Sequence, residues 1–354
     1  MHFKYCIIGA GLSGLTTANM LRASGENDFV ILEGRDRTGG RIFTYDHIDF
    51  GATWFQSHHE NVNELLHQFG LQKFEQYSKG QSVLVYNTMA PAHLFESQQQ
   101  TPAAQRVSGG SKALIDKLAK PVAGKIFLNT KITAVHDMDN ELQLTTNKGN
   151  FSADKVVVTI PPKLATALTY HPELPEDFSA LMNQTHTWMS NAIKVGLRFE
   201  TPFWRKKNLS GTVIGQIGPV IELYDHCNHE HSVFSLMGFV NEGLRDTTAE
   251  IRKERILSYL ETHLGAEIRA YTSYQEKDWS IDPFTACKNL KSVYMSPQYG
   301  NKLYKNFHMN GKLFFSGTET SPVYGGYLDG AIYSGLRAAR LLQRPNPQNH
   351  LENS

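Results

Sequence analysis

The chain opens with uninterrupted apolar runs separated by small residues. Tyr5-Cys6-Ile7-Ile8 runs into Gly9-Ala10-Gly11-Leu12-Ser13-Gly14, an Ala/Leu-rich segment follows, and a second run, Phe29-Val30-Ile31-Leu32, ends on Glu33. Apolar runs without alternation are what strands covered on both faces look like, so the pattern predicts strand, glycine turn, helix and strand. Val62, Leu65, Leu66 and Phe69 then fall at i, i+3, i+4 and i+7, an amphipathic helix stopped by Gly70. A short helix over 112–119 has Ser111 or a glycine near its N-cap. Strand-like runs cover 126–128, 132–135, 142–146 and 155–160, the last stopped by Pro161-Pro162.

From about residue 166 the texture changes. Pro172, Pro175, Trp188, Phe203 and Trp204 appear, and 191–199 alternates with period two in its second half. Further strands are predicted over 212–217, 220–224 and 233–240. A helix over 247–265 sets Ile251, Ile256, Leu257, Leu260 and Leu264 on one side and Glu250, Lys253 and Glu254 on the other. The last periodic segment is a helix from about 327 to 342. Residues 78–106 have little periodicity, and 343–354 form a polar tail.

Composition narrows the partners more than the fold. With 354 residues, 40% of them hydrophobic and 19% charged, the chain reads as an ordinary globular protein of about two domains. Thirty-five basic against 34 acidic residues give +1, so nothing in the charge favours nucleic acid or an anionic membrane. Three cysteines are too few for a disulfide framework and fit a reducing compartment. The first strand begins at residue 3, which leaves no room for a signal peptide. The apolar stretch 5–21 contains three glycines and reads as a buried strand–helix unit, with no membrane anchor elsewhere. The expected location is cytoplasmic.

The glycine segment carries the first candidate chemistry. Gly9 lets the chain turn sharply, Gly11 lets its backbone approach a pyrophosphate, and Gly14 lets the helix pack on the strand. The helix start then offers free N–H groups and a positive dipole end to phosphates. Glu33, about 20 residues on, would accept hydrogen bonds from a ribose. Gly39-Gly40-Arg41 suggests a second close approach, with Arg41 supplying charge to a phosphate. Residues 48–55 read as a short strand entering a glycine turn. His58, His59 and His67 read as solvated helix residues. The run Asp225-His226-Cys227-Asn228-His229-Glu230-His231 has metal-ligand residue types, but no second ligand pair accompanies it, and a polar hairpin tip is the expectation, with no metal.

In this order the fingerprint, Glu33, Gly39-Gly40-Arg41 and Asp49-x-Gly51-Ala52 resemble the flavin-containing amine oxidases, the monoamine oxidase family. The resemblance runs from residue 3 to about 342 and is strongest at both ends and over 192–207. It implies an α/β fold: a Rossmann-like FAD-binding domain (1–77, 107–165 and 285–342), a parallel sheet with helices, interleaved with an α+β substrate domain (78–106 and 166–284) on a mixed or antiparallel sheet. It also implies that FAD contacts Gly9, Gly11, Leu12, Ser13, Gly14, Glu33, Gly34, Arg35, Gly40, Arg41, Gly51, Ala52, Thr53, Trp54, Ile132, Gly317, Glu319, Gly326, Tyr327, Leu328 and Ala331.

Three residues are implied in the reaction itself. Lys194, beside Pro202-Phe203-Trp204-Arg205-Lys206-Lys207, would reach toward flavin N5 through a water. Trp279 would pack near the flavin edge, and Tyr327 would be one wall of an aromatic cage, with Tyr324 where the family has a tryptophan. Lys288 stands at the position of covalent flavin attachment, Cys287 one residue early and Asn289 where an aromatic is expected, so non-covalent FAD is implied. The reaction implied is oxidation of an amine to an imine, hydrolysed to a carbonyl, with oxygen reduced to hydrogen peroxide. The interval 78–106 is shorter than the family's, which leaves the pocket open to solvent or closed by a second copy in a homodimer. A desaturase or protoporphyrinogen-oxidase-like enzyme, and a non-catalytic FAD-binding protein, remain alternatives at this point.

Overall fold

A computed structural model describes residues 1–87, 89–96, 103–287 and 298–344. Its frame is two sheets. In the first, the strands lie in the order Thr169–His171, Ile132–Asp137, Leu142–Thr146, Gly149–Val158, His2–Ile8, Phe29–Leu32 and Ile126–Phe127. The long strand Gly149–Val158 serves two partners in turn. Its first half pairs antiparallel with Leu142–Thr146, and its second half pairs parallel with Leu313–Phe315. Side chains alternate along a strand, so Ile7, Ile31, Val157 and Phe314 enter one core, and Cys6, Ile8, Val30, Val156 and Val158 enter another. Helices Leu12–Ala23, Lys112–Ala119 and Leu328–Leu342 close the first core through Leu15, Leu118 and Ile332. Burial on both faces is why these runs carry no polar alternation.

The second core extends past residue 165. Thr169–His171 pairs parallel with Ile132–Asp137, and helix Glu176–Gln184 buries Phe178, Leu181 and Met182 against Phe315 and Tyr304. The prolines that change the texture at 172 and 175 therefore lie inside this unit and do not mark its edge.

The second sheet has the order Ser273–Asp278, Ile193–Phe199, Phe234–Val240, Val220–Asp225, Leu209–Gly215, Gln81–Val85 and His93–Glu96. The last two strands come from the interval that showed little periodicity, and they extend the sheet through the parallel pairing of Gln81–Val85 with Leu209–Gly215. Helix Ala249–Leu264 covers one face with Ile256, Leu257, Leu260 and Leu264. Ile251, expected on that side, points to solvent, and Arg252 is buried instead, paired with Glu276 at 2.6 Å. An ion pair with the neighbouring strand outweighs apolar periodicity at that turn. The other face, which carries Lys194, Met237 and Phe239, packs on Ile48, Phe50 and Trp54. Among the described residues no helix is long and apolar enough to cross a membrane.

Candidate active site

Gly9 has φ +106°, and a Cβ there would lie 2.8 Å from the Thr159 hydroxyl. At Gly14 a Cβ would stand 2.0 Å from the Gly9 carbonyl oxygen, so the helix start rests directly on the turn. Around Gly11 nothing lies within 4 Å of the place a Cβ would occupy, and that space opens into a cleft of ≈ 330 Å³. Gly9, Gly11, Leu12, Ser13, Glu33, Gly34, Arg35, Gly40, Arg41, Ala52, Ile132, Gly317, Gly326, Tyr327, Leu328 and Ala331 line this one cleft. Gly14, Gly51, Thr53, Trp54, Lys194, Trp279 and Glu319 are not part of the lining.

Two arginines of the lining are engaged by carboxylates. Arg35 lines the cleft, but its guanidinium is bound to Asp282 at 2.7 Å and to the Thr285 hydroxyl at 2.9 Å. Arg41 holds the fully buried Glu319 with two N–H groups, one of them at 3.0 Å, and donates to the Thr187 hydroxyl at 2.5 Å. Burial pulls the Arg41 pKa down, but the Glu319 carboxylate outweighs it and the net direction is upward. Glu33 accepts from the Ala10 N–H at 2.7 Å through one oxygen and from the Arg35 N–H at 2.8 Å through the other. Each oxygen keeps a lone pair for a hydroxyl.

Of the residues that do not line the cleft, Lys194 and Trp279 brace the turn at 49–53. The buried Asp49 carboxylate accepts from the Thr44 hydroxyl at 2.5 Å and the Ser111 N–H at 3.0 Å. Burial pushes its pKa above the usual carboxylate range, with Arg106 acting against that shift. The Asp49 N–H donates to His226 Nε2 at 3.1 Å, and the Trp279 indole N–H donates to the Phe50 carbonyl at 2.7 Å. Lys194 Nζ donates to the Gly51 carbonyl at 2.8 Å, and to the Asp49 carbonyl and Thr53 hydroxyl at 3.2 Å. Its ammonium also sits 4.7 Å from the Phe239 ring centre and 5.4 Å from that of Trp54. Burial lowers the Lys194 pKa to about 7, with Asp49 and Glu222 opposing and Arg106 adding to the drop. In this structure Lys194 grips the turn behind Ala52, and Trp279, fully buried, braces the same turn.

At Tyr327 two helix starts meet. Asp329, in the first turn of Leu328–Leu342, accepts from the Val62 N–H at 2.9 Å and from Asn61 at 2.8 Å, and so caps helix Glu60–Gln68. His59 is buried between them, contrary to the solvated reading, while His58 and His67 are exposed. Its ring lies 4.4 Å from Tyr324 and 5.5 Å, edge-on, from Tyr327. Burial lowers its pKa, with Asp329 opposing.

A family model described as flavin containing amine oxidoreductase matches residues 12–90 and 77–343. The chain belongs to the flavin-containing amine oxidoreductase family. Its cofactor is FAD and its reaction is the oxidation of an amine. Amine oxidase A from Sus scrofa is 25% identical over 448 aligned residues, covering 94% of this chain and 84% of its own. A probable flavin-containing monoamine oxidase A from Dictyostelium discoideum is 24% identical, over 96% of this chain and 97% of its own. The fold is shared with putrescine oxidase bound to putrescine (TM-score 0.83, 23% identity, 97% of this chain and 100% of that one). It is shared also with cyclohexylamine oxidase from Brevibacterium oxydans (TM-score 0.83, 18% identity, 96% and 98%).

The residues present fit FAD in this family member: a side-chain-free floor at Gly11, a carboxylate with free lone pairs at Glu33, and a helix start at Leu328. Several lining residues were missed by sequence reading, among them Thr130, Ile160, Trp188 and Phe284. Phe284 left one trace: a Cβ on Gly34 would lie 2.4 Å from its ring. The segment 225–231 needs a correction too. Asp225, His226 and Cys227 are buried, Asp225 holding Arg205 and the Trp204 indole, and only the later residues form an exposed tip. Cys287 is a buried free thiol whose pKa burial raises. Lys288 and Asn289 lie outside the described residues, as does most of the tail.

Proposed function

We propose that the protein oxidises a small amine at the Tyr327 end of the cleft and passes the electrons to oxygen, releasing hydrogen peroxide. The observation that carries this reading is a single cleft lined by the Gly9–Gly14 turn and Glu33 and also by Trp188 and Tyr327. Non-covalently bound FAD would be held by the glycine turn, Glu33 and the start of Leu328–Leu342, and would supply the acceptor for a hydride equivalent from the amine α-carbon. Tyr327 would serve as an aromatic wall that favours the uncharged amine, because stripping water from an ammonium there is costly. Lys194 would act by its charge and through the turn it grips, and Trp279 by bracing that turn. The first sheet would form the FAD domain and the second the substrate domain. Three buried free thiols suit a reducing compartment, which supports a cytoplasmic location.

The test begins with the visible spectrum of the purified protein, followed by acid precipitation and an anaerobic titration with amines. Flavin absorbance that is released into the acid supernatant and bleached by an amine is the expected result. A protein that takes up no FAD, or FAD that no amine bleaches, overturns the reading.

A further inference from the structure

His59 is buried although His58 beside it is exposed, and it does not itself line the cleft. Its Nδ1 accepts the Gln56 backbone N–H at 3.3 Å, which makes the ring neutral with its proton on Nε2. Among the described residues it is the only ring packed against Tyr327, edge-on at 5.5 Å, and it lies 4.4 Å from the Tyr324 ring. Tyr324 has φ +47°, a left-handed conformation that a bulky side chain rarely adopts. Its carbonyl accepts the Tyr327 N–H at 3.1 Å, so a shift of Tyr324 carries Tyr327 with it. Strain of this kind persists only where the surroundings hold it, and His59 packs on both ends of that turn.

The titratable groups around the ring come from three places. Asp329, at the start of Leu328–Leu342, already accepts from the Val62 N–H and from Asn61 with its two oxygens. His58 stands edge-on at 4.9 Å, and Tyr324 and Tyr327 present their rings; Glu60, next in the chain, is exposed. Burial lowers the His59 pKa, Asp329 opposes and His58 adds to the drop, so the ring is neutral at neutral pH. In acid the incoming proton goes to Nδ1, and that N–H then points at the Gln56 N–H. Two donors cannot share the contact, so the ring turns away from Gln56 and from both tyrosines.

We propose that His59 is the positioning residue for the Tyr327 wall, and that protonation of its ring releases the wall and weakens substrate binding in acid. Tyr327 touches the substrate; His59 acts through it. This rests on the amine-oxidation reading above.

The experiment uses the FAD-loaded protein with His59→Gln, His58→Gln and Tyr327→Leu. The glutamine oxygen can accept the Gln56 N–H without titrating. Benzyl alcohol, which stays uncharged, is titrated from pH 5 to 9 through its effect on the flavin spectrum, and flavin reduction by benzylamine is followed over the same range. Loss of one edge-to-face ring contact predicts binding about threefold to tenfold weaker at pH 5 than at pH 8 in wild type and His58→Gln. His59→Gln and Tyr327→Leu should show no such change. The wild-type benzylamine KM, divided by that of His59→Gln so that the amine's own titration cancels, should rise by the same factor toward acid at similar kcat. No benzyl alcohol binding, a wild-type affinity that ignores pH, or a dependence kept in His59→Gln or lost in His58→Gln would overturn the positioning role. If benzylamine still reduces the flavin in that case, amine oxidation stands. A pH dependence that runs through His59 in a protein whose flavin no amine reduces would support the positioning role and sink the oxidation reading.

Discussion

Glu319→Gln is the perturbation that separates the two tasks of Arg41. Arg41 lines the cleft, yet its guanidinium is bound to a carboxylate with no exposure at all. Removing one partner of a buried pair costs roughly 3–5 kcal/mol, because the other charge is left uncompensated. Arg41 is about 20% exposed, and a glutamine oxygen still accepts one of its N–H groups, so about 2–3 kcal/mol is the expected loss. A change of 1 kcal/mol moves the melting temperature of a large domain by roughly 2–4 °C, which places the cofactor-free variant about 5–10 °C below wild type. An FAD pyrophosphate beside Arg41 would restore the missing negative charge. The loss should therefore shrink in FAD-saturated protein, and FAD should raise the variant's melting temperature more than the wild type's. Thermal melts followed by circular dichroism, with no ligand, with FAD and with ADP, provide the comparison. The same loss with and without FAD would refute a phosphate contact for Arg41. No loss in the cofactor-free protein would refute the buried pair as a stabilising contact.

Four further outcomes are expected. Lys194 is held at a pKa of about 7 against 10.5 for a free lysine, so between those values the unfolded chain binds more protons and stability rises with pH. Urea unfolding from pH 6 to 9 should show this rise in wild type relative to Lys194→Met, and parallel curves would refute it. Gly14→Ala should lower stability by roughly 1–3 kcal/mol, since its Cβ meets the Gly9 carbonyl. Gly11→Ala, at φ −76° with open space, should leave the cofactor-free protein as stable as wild type and weaken FAD binding in a fluorescence titration; unchanged FAD affinity would count against the cleft floor. Trp279→Phe leaves the buried Phe50 carbonyl without a donor and should cost about 1–3 kcal/mol in denaturant unfolding, and a variant as stable as wild type would remove Trp279 from the brace.

What the sequence made legible was local backbone chemistry. Gly9 and Gly14 announce close approach, the family resemblance adds Gly317 and Gly326, and all but Gly14, which packs behind Gly9, border the cleft. What stayed hidden were choices of partner far along the chain. Arg35 borders the cleft as expected of a cofactor contact, but nothing local shows that Asp282, 247 residues away, holds its guanidinium. His59 reads as solvated because its neighbours Tyr324 and Tyr327 come from the other end of the chain. Ile251 reads as a core residue because nothing local says that Arg252, one position on, turns inward to meet Glu276. Periodicity reports which face is covered; it cannot report which polar side chain will cross that face to meet a partner.

The turn at 49–53 shows what such partner choices accomplish. It lies against the first sheet's unit through Thr44 and Ser111, and the Phe50 and Gly51 N–H groups donate to the Phe43 carbonyl, yet the other four backbone groups of Asp49, Phe50 and Gly51 meet side chains on or just past strands of the second sheet: His226 takes one N–H, Trp279 one carbonyl, and Lys194 two. Buried backbone polar groups must be paired, so the turn reaches this shape only when both sheets are in place. Ala52, which borders the cleft, is set by that shape. The cleft and the sheet face that carries Lys194 are thus joined through one turn. A substitution at Lys194 is expected to loosen this turn as well as remove a charge, which is why its effect has to be read from the pH dependence and not from activity alone.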